Sequence, residues 1–587
     1  MKKLLMILVT LHLLITGCVD DFIEKPAVTG INLDEVFSSE RNARHAIAEA
    51  YGANLSFGLP VARWAPPYLP YSTTMAIMGG EDVCGLGWVP MNTQCEVGMI
   101  ANDAHSGAGY TDDYFPNNYI FIRKAWLVYE NIYKATDMSD ADKTIVEAEM
   151  QTLVAYRYLQ MMKTYGGVPL VKETLTADNA SIPRSTLQET FDYIVELCDL
   201  ASETFGNKAW SGEDYGRINK GVALAIKAEA MMFAARPLFN AATPYLSMED
   251  PAKNNLICFG NANPDRWQDA INANKAVIEW GMANGYELID TDNPFDDYAT
   301  AVGTMSNKEV LLAYKQQHGG NDNGMYKEYP IAFAAAPHMH RNRGITFEML
   351  QKFRTADGTD QVWLNEGDRL PSSHYRARSE ELETRALASL YFFGINAKNN
   401  PNDADWDVVS GSANWAFVWN RKLQRGCAKN CKFWYKAGRR TWFEFPLFRM
   451  AQFYLNLAEA YNEQGNSSEA LNYLNTIRDR GGLGYIAVSD QTALREEIQR
   501  EWAVEFYGEN KHYAHARHWK KGDVMIGGPK HSFKFQALVS WDPKKPEQYG
   551  DYWLSLTRNY AWNPNMHLSP ITLSEVNKGY ITQNPGY

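Results

Sequence analysis

Between Phe445 and Trp519 the apolar positions recur with the period of a helix. Leu447, Met450, Ala451, Tyr454, Leu457, Ala458 and Tyr461 follow the i, i+3, i+4, i+7 spacing of a helix with one buried side. Gly465 stands just past the last of them, where a helix ends in a left-handed conformation that glycine adopts freely. Asn466 then offers an N-cap oxygen, and Ala470, Leu471, Leu474 and Ile477 form the stripe of a second helix. The small Ala458, Ala460 and Ala470 let the two axes approach closely. A hairpin of the form A-Y-x-x-x-G-x-x-x-x-A-x-x-x-L is the tetratricopeptide-like pattern. It buries its face only against neighbouring hairpins, so one such unit predicts others.

The same spacing recurs upstream. Val36–Tyr51 reads as a short amphipathic helix, followed by Ile120–Thr136, Ala141–Tyr165, Thr186–Phe205, Gly216–Ala235 and Trp267–Trp280. Two long stretches lose it: Gly52–Asn118, and Asp290–Arg440 with its strand-like runs VLLAYKQQ, SLYFFG and WAFVWNRKL. After Trp519 the chain reads as turns. The predicted fold class is mainly all-α: a tetratricopeptide-like α-superhelix with two loop-rich insertions, 52–118 and 290–440. The helical scaffold is 36–51, 120–285 and 445–520, within a single domain spanning 36–587. Loops this long on a rigid scaffold are usually functional.

The first residues change the picture most. Lys2 and Lys3 precede the apolar run Leu4–Ile15, which is too short to be a stable span. Leu14-Ile15-Thr16-Gly17-Cys18 resembles a bacterial lipobox, which implies a signal peptide over 1–17 and lipidation of Cys18. Residues 18–35 then read as an extended tether. The net charge of −12 disfavours nucleic acid as a partner and suits a neutral ligand such as a glycan. Among the remaining cysteines, Cys198 reads as a buried hydrophobe. Cys84 and Cys95 bracket a loop that a disulfide would pin; Cys427 and Cys431 form a small bridge or half a metal site. Neither these nor Cys258 fixes a disulfide pattern, and no matching Cys/His pair completes a metal site. The acidic run Asp290-Thr291-Asp292-Asn293 lacks the glycine and distal glutamate of an EF-hand and reads as a turn, so structural calcium has no support and no cofactor is expected.

Enzyme readings find little. Glu497, Glu501 and Glu505 fall four apart, the spacing of an ion-paired helix face. Adjacent Glu81 and Asp82 define no acid/base geometry. No nucleophile elbow, zinc-protease helix or phosphate loop is present.

Several separated segments resemble the SusD/RagB-like outer-membrane nutrient-binding lipoproteins. DFIEKP follows the lipobox, and EAEMQTLVAYRYLQMMKTYGGVPLV is similar to the family helix ending in Y-G-x-V-P-L. GRINKGVALAIKAEAMMFAARPLFN, LFRMAQFYLNLAEAYNEQG with LNTIRDRGGL, and the closing TQNPGY resemble further family segments, in family order. The family pattern E-R-x-x-E-L-x-x-E-G-x-R-x-x-D-L-R-R-W departs here: Asn510, His512 and His515 stand where it has glycine, arginine and aspartate. The resemblance implies a non-catalytic, lipid-anchored, cell-surface protein of the outer membrane. It would capture oligosaccharide and deliver it to a SusC-like TonB-dependent transporter. The same scaffold binding peptide or another nutrient is the alternative, and a surface glycoside hydrolase or lyase a distant one.

Sugar binding needs flat rings for C–H faces and planar polar groups for hydroxyls. The first insertion offers Asp82, Trp88, Asn92 and Gln94. The second offers Asn323, Tyr326, Tyr329 and Arg341, with Arg343 beside them. Trp88, flanked by Gly and Pro outside any helical stripe, leads this set.

Overall fold

In the computed structural model the described residues are 32–56, 74–84, 90–100, 115–207, 210, 212–317, 343–392, 426–430, 432, 442–535 and 551–587. The leader, Cys18 and most of the tether lie outside them.

The helices are α1 (Glu40–Asn54), α2 (Phe115–Asn131), α3 (Asp140–Tyr165), α4 (Leu187–Phe205), α5 (Lys220–Ala235), α6 (Asp265–Ala283), α7 (Met450–Glu463), α8 (Ser467–Arg480), α9 (Gln491–Glu505) and α10 (His512–His518), with shorter ones between. Each of α2 to α8 packs on the helix before it, and α9 lies against α7. This is the α-superhelix the apolar period predicts. The register passes from α6 directly to α7, so the second insertion leaves the stack and returns to it. Side-chain caps start many of these helices: Ser39, Ser139, Thr186, Asn219, Asn466 and Asp490 each accept a backbone N–H of the first turn. Gly465 ends the α7–α8 link at φ +78°, as its place in the pattern required. Ala458, Ala460, Ala470, Leu474 and Ile477 are fully buried between these helices.

Three expectations need correction. Leu447 belongs to a strand, not to the helix stripe: β2 (Val310–Gln317) pairs antiparallel with β4 (Trp442–Arg449) at the base of the second insertion. The chain after Trp519 is not all turns, since β5 (Gly528–Phe535) pairs antiparallel with β6 (Asp551–Tyr560), and β6 also pairs with Leu370–Pro371. Cys95 forms no pin; it is a free buried thiol whose Sγ lies 3.5 Å from Met78 Sδ. Cys198, Cys258 and Cys427 are also free and buried. The acidic run near residue 290 is a capped turn, with Thr291 and Asn293 N–H groups donating to Asp297 at 2.7 and 3.2 Å. Among the described residues no helix is long and apolar enough to cross a membrane.

Candidate functional site: a loop stem over buried charge

Three short extended segments, far apart in sequence, lie side by side. β1 (Asp82–Cys84) pairs antiparallel with β3 (Arg343–Ile345), in the register Asp82↔Ile345, Val83↔Gly344, Cys84↔Arg343. On the other side of β3, Ile345 N donates to Ala428 O (3.1 Å) and Cys427 N to Ile345 O (2.7 Å). The approach is close: a Cβ on Gly426 would sit 2.4 Å from the Gly344 carbonyl carbon, and Gly426 has φ +87°. Gly426 N is fixed in turn by Ser532 Oγ of β5 (2.7 Å).

Beneath this stem the contacts are polar and buried. Tyr507 O–H donates to Asp82 Oδ1 (2.7 Å) and Gly508 N to Glu81 Oε1 (2.9 Å). Thr346 Oγ1 donates to Gly80 O (2.9 Å). Lys432 Nζ donates to the carbonyls of Glu505 (2.8 Å) and Tyr507 (3.1 Å) and to Glu509 (2.6 Å). Arg449, at the end of β4, reaches Glu309 (2.9 Å), Glu505 (2.6 Å) and Glu509 (2.8 Å). Arg480 pairs with Glu309 (3.0 Å) and Glu505, and Arg385 with Glu383, Glu501 and Glu505. Burial raises the Glu505 carboxyl, but Arg480, Arg449 and Arg385 outweigh it and hold the group well below the usual carboxylate range. Glu309, Glu383, Glu501, Glu505 and Glu509 are each paired with at least one of these cations, an arrangement that holds the backbone segments around them in place.

A family model described as the SusD family matches residues 308–587. A second, described as starch-binding associating with outer membrane, matches residues 90–230. Among solved structures, a SusD-like protein from Bacteroides fragilis NCTC 9343 superposes with TM-score 0.68 at 22% identity, covering 94% of this chain and 98% of its own. A SusD-like carbohydrate binding protein from the same strain gives 0.67 at 16%, covering 93% and 99%. A SusD superfamily protein from Bacteroides vulgatus ATCC 8482 gives 0.61 at 15%, covering 94% and 100%. No curated protein sequence matches the chain. The chain belongs to the SusD/RagB-like family.

Much of what reads as family resemblance turns out to be contact between distant parts of this SusD-like chain. Arg217 of GRINK pairs with Glu149 of EAEMQ at 2.8 Å. Arg184 donates to Tyr165 O (2.8 Å), beside the Gly-Gly turn, and to Asn584 Oδ1 (2.9 Å) of the closing TQNPGY. Arg236 pairs with Glu459 at 2.6 Å. The departure at Asn510 also has a structural reading. Asn510 has φ +62°, the left-handed region that a glycine in the family pattern would occupy, and asparagine tolerates it better than most residues. His512 and His515 are buried. Burial, with Lys352 beyond it, pushes His512 down to about 4.

Of the residues expected to meet a ligand, Trp88, Asn323, Tyr326, Tyr329 and Arg341 lie outside the described residues. Asn92 is on the short helix Pro90–Val97. Asp82 and Gln94 are buried, 0% and 6% exposed, and Asp82 is committed to Tyr507, so in this structure it holds β1 down and does not face solvent. The stem itself escaped sequence reasoning because its strands are two or three residues long, too short for a period of two to register. A separate recess of about 330 Å³, floored by apolar residues such as Tyr119, Leu175 and Ile182, lies where α2 meets the C-terminal residues, away from the stem.

Proposed function

We propose that this SusD-like protein is a non-catalytic, cell-surface glycan-binding lipoprotein, anchored in the outer membrane through Cys18, that passes captured oligosaccharide to a SusC-like TonB-dependent transporter. The observation that carries the reading is the β1–β3 ladder, which joins a strand from within each loop-rich insertion at one place on the helical frame. Trp88 follows Cys84 by four residues and Arg341 precedes Arg343 by two. A ring and a guanidinium carried by these two insertions suit a sugar, the ring covering a C–H face and the guanidinium pairing hydroxyls. Family membership, and the starch-binding description attached to the model over 90–230, support the ligand class. The acidic overall charge agrees with a neutral glycan.

The test is a panel of soluble polysaccharides titrated by calorimetry into the full chain and into Trp88→Ala. Binding to at least one glycan, weakened tenfold or more in the variant and without release of reducing sugar, is expected. Reducing-sugar release by the wild type, or competition by peptides and not by oligosaccharides, would overturn the reading.

A further inference from the structure

A recess of about 70 Å³ lies between α3, β4 and α10. In the same measure one water needs ~10–15 Å³, so the space holds a group of several atoms. Three cations from separate parts of the chain line it: Lys163 near the end of α3, Lys511 in the turn before α10, and Arg517 on α10. The lining carboxylate, Glu509, is already bound by Arg449 (2.9 Å) and Lys432 (2.6 Å). Behind the recess Glu229 pairs with Lys163 and lies 3.6 Å from Lys511, so one carboxylate serves two ammonium groups. Burial raises Glu229, but the two lysines draw it down to about 2, so it is fully ionised at neutral pH and its single charge is spent. Lys511 otherwise donates to the Leu447 carbonyl (2.8 Å). Arg517 donates to the carbonyls of His567 (2.8 Å) and Thr164 (3.4 Å) and to Ser569 Oγ (3.3 Å), all neutral acceptors. Set against Glu229 alone, the three cations leave an excess of two positive charges. The neighbouring His515 is driven well below its ordinary value by burial and then by Arg236, His512, Lys511 and Lys163. Both lysine side chains retain some exposure, 10% and 17%, so the recess is reachable from solvent.

We propose that this recess binds a single oxyanion group, a carboxylate, sulfate or phosphate, held by charge-assisted hydrogen bonds from Lys163 and Lys511 with Arg517 completing the positive wall. As the acid group of a charged sugar, this ligand rests on the glycan-binding reading; as a free inorganic ion it does not.

Lys511→Gln removes one cation at a partly exposed turn and leaves the Lys163–Glu229 pair in place. The full chain and this variant are titrated by calorimetry at low ionic strength with sodium sulfate, sodium phosphate, sodium glucuronate and glucose. Binding of at least one of the three anions, not of glucose, with a tenfold or greater loss in Lys511→Gln, is expected. Glucuronate binding more tightly than the inorganic ions assigns the group to an acidic saccharide, and the reverse order assigns it to a free ion. Silence with all three anions, or equal affinity in the variant, overturns the proposal. Neutral-polysaccharide binding is measured alongside. Its retention where anion binding is absent sinks the recess but not the glycan reading; anion binding by a chain that takes up no polysaccharide does the opposite.

Discussion

In the helical stack most of the seam is apolar and reaches the next helix in sequence, as Leu474 and Ala458 do between α7 and α8. At the loop stem they are polar and reach across the whole chain: Asp82 to Tyr507, Glu81 to Gly508, Ser532 to Gly426. The difference is one of what each region demands. A helix seam needs a repeat of small and large apolar side chains, which tolerates gradual change. The stem needs a set of charges to meet simultaneously around Glu505, because each of them is buried and stable only with its partners present. Glu505→Ala should therefore be the most damaging single change. It strands Arg449, Arg480 and Arg385 without their shared carboxylate, and a loss of about 3–5 kcal/mol in urea unfolding is expected. A loss under about 1 kcal/mol would show that the network carries no more weight than surface pairs do.

Leu474→Ala probes the other region. It opens a cavity at a fully buried position in the α7–α8 seam and should cost about 2–4 kcal/mol. The comparison is sharpened by hydrogen exchange. Leu474→Ala is expected to expose amides of α7 and α8 while leaving the β1–β3 ladder protected, and Glu505→Ala to do the reverse. Identical protection patterns in the two variants would mean that stack and stem unfold as one unit.

This division explains what could be read from the sequence. The helix pairs were legible because their apolar period persists over four turns, and the caps and Gly465 fall where the period stops. Leu447 was misread because β4 runs straight into α7, and Leu447, three residues before Met450, extends the helical stripe by coincidence. The pairing of β5 with β6 was hidden by Lys530, a buried lysine at a position where the alternation calls for an apolar side chain. The stem was illegible because its order comes from residues 82, 343 and 426 finding one another. What sequence did offer was the set of motifs. Glu149 with Arg217, and Tyr165 and Arg184 with Asn584, are partners whose meeting only the fold displays.

Acid should separate the regions further. His512 and His567 are buried neutral, each pushed down to about 4 from 6.5, chiefly by burial. The unfolded chain thus binds protons that the folded chain does not, between pH 6.5 and about 4. Stability falls as pH drops through that window, by about 1.4 kcal/mol per pH unit for each histidine, and is unaffected by them above it. His512 lies on α10 and His567 beside it, its Nδ1 3.0 Å from the Arg517 carbonyl oxygen. Unfolding midpoints measured from pH 7.5 to 5 should decline progressively, and His512→Asn should flatten the slope by one histidine's share. A slope unchanged by that substitution would place the titration elsewhere.

The smallest effect tests the turn that joins α9 to α10 and so couples stack to stem. Asn510 holds φ +62° immediately after Glu509, whose carboxylate binds Arg449 and Lys432. A side chain branching from Cβ is strained there, whereas glycine is not, and asparagine lies between the two. Asn510→Gly is accordingly expected to fall within about 0.5 kcal/mol of the wild type, relief of strain being offset by the greater entropy of the unfolded chain. Asn510→Ala should cost about 1 kcal/mol, since alanine has neither the freedom of glycine nor a polar side chain for local hydrogen bonding. Equal stability of the two variants in urea would mean that the turn relaxes to negative φ without disturbing Glu509. The backbone, and not the network of charges around it, would then be the compliant part of this junction.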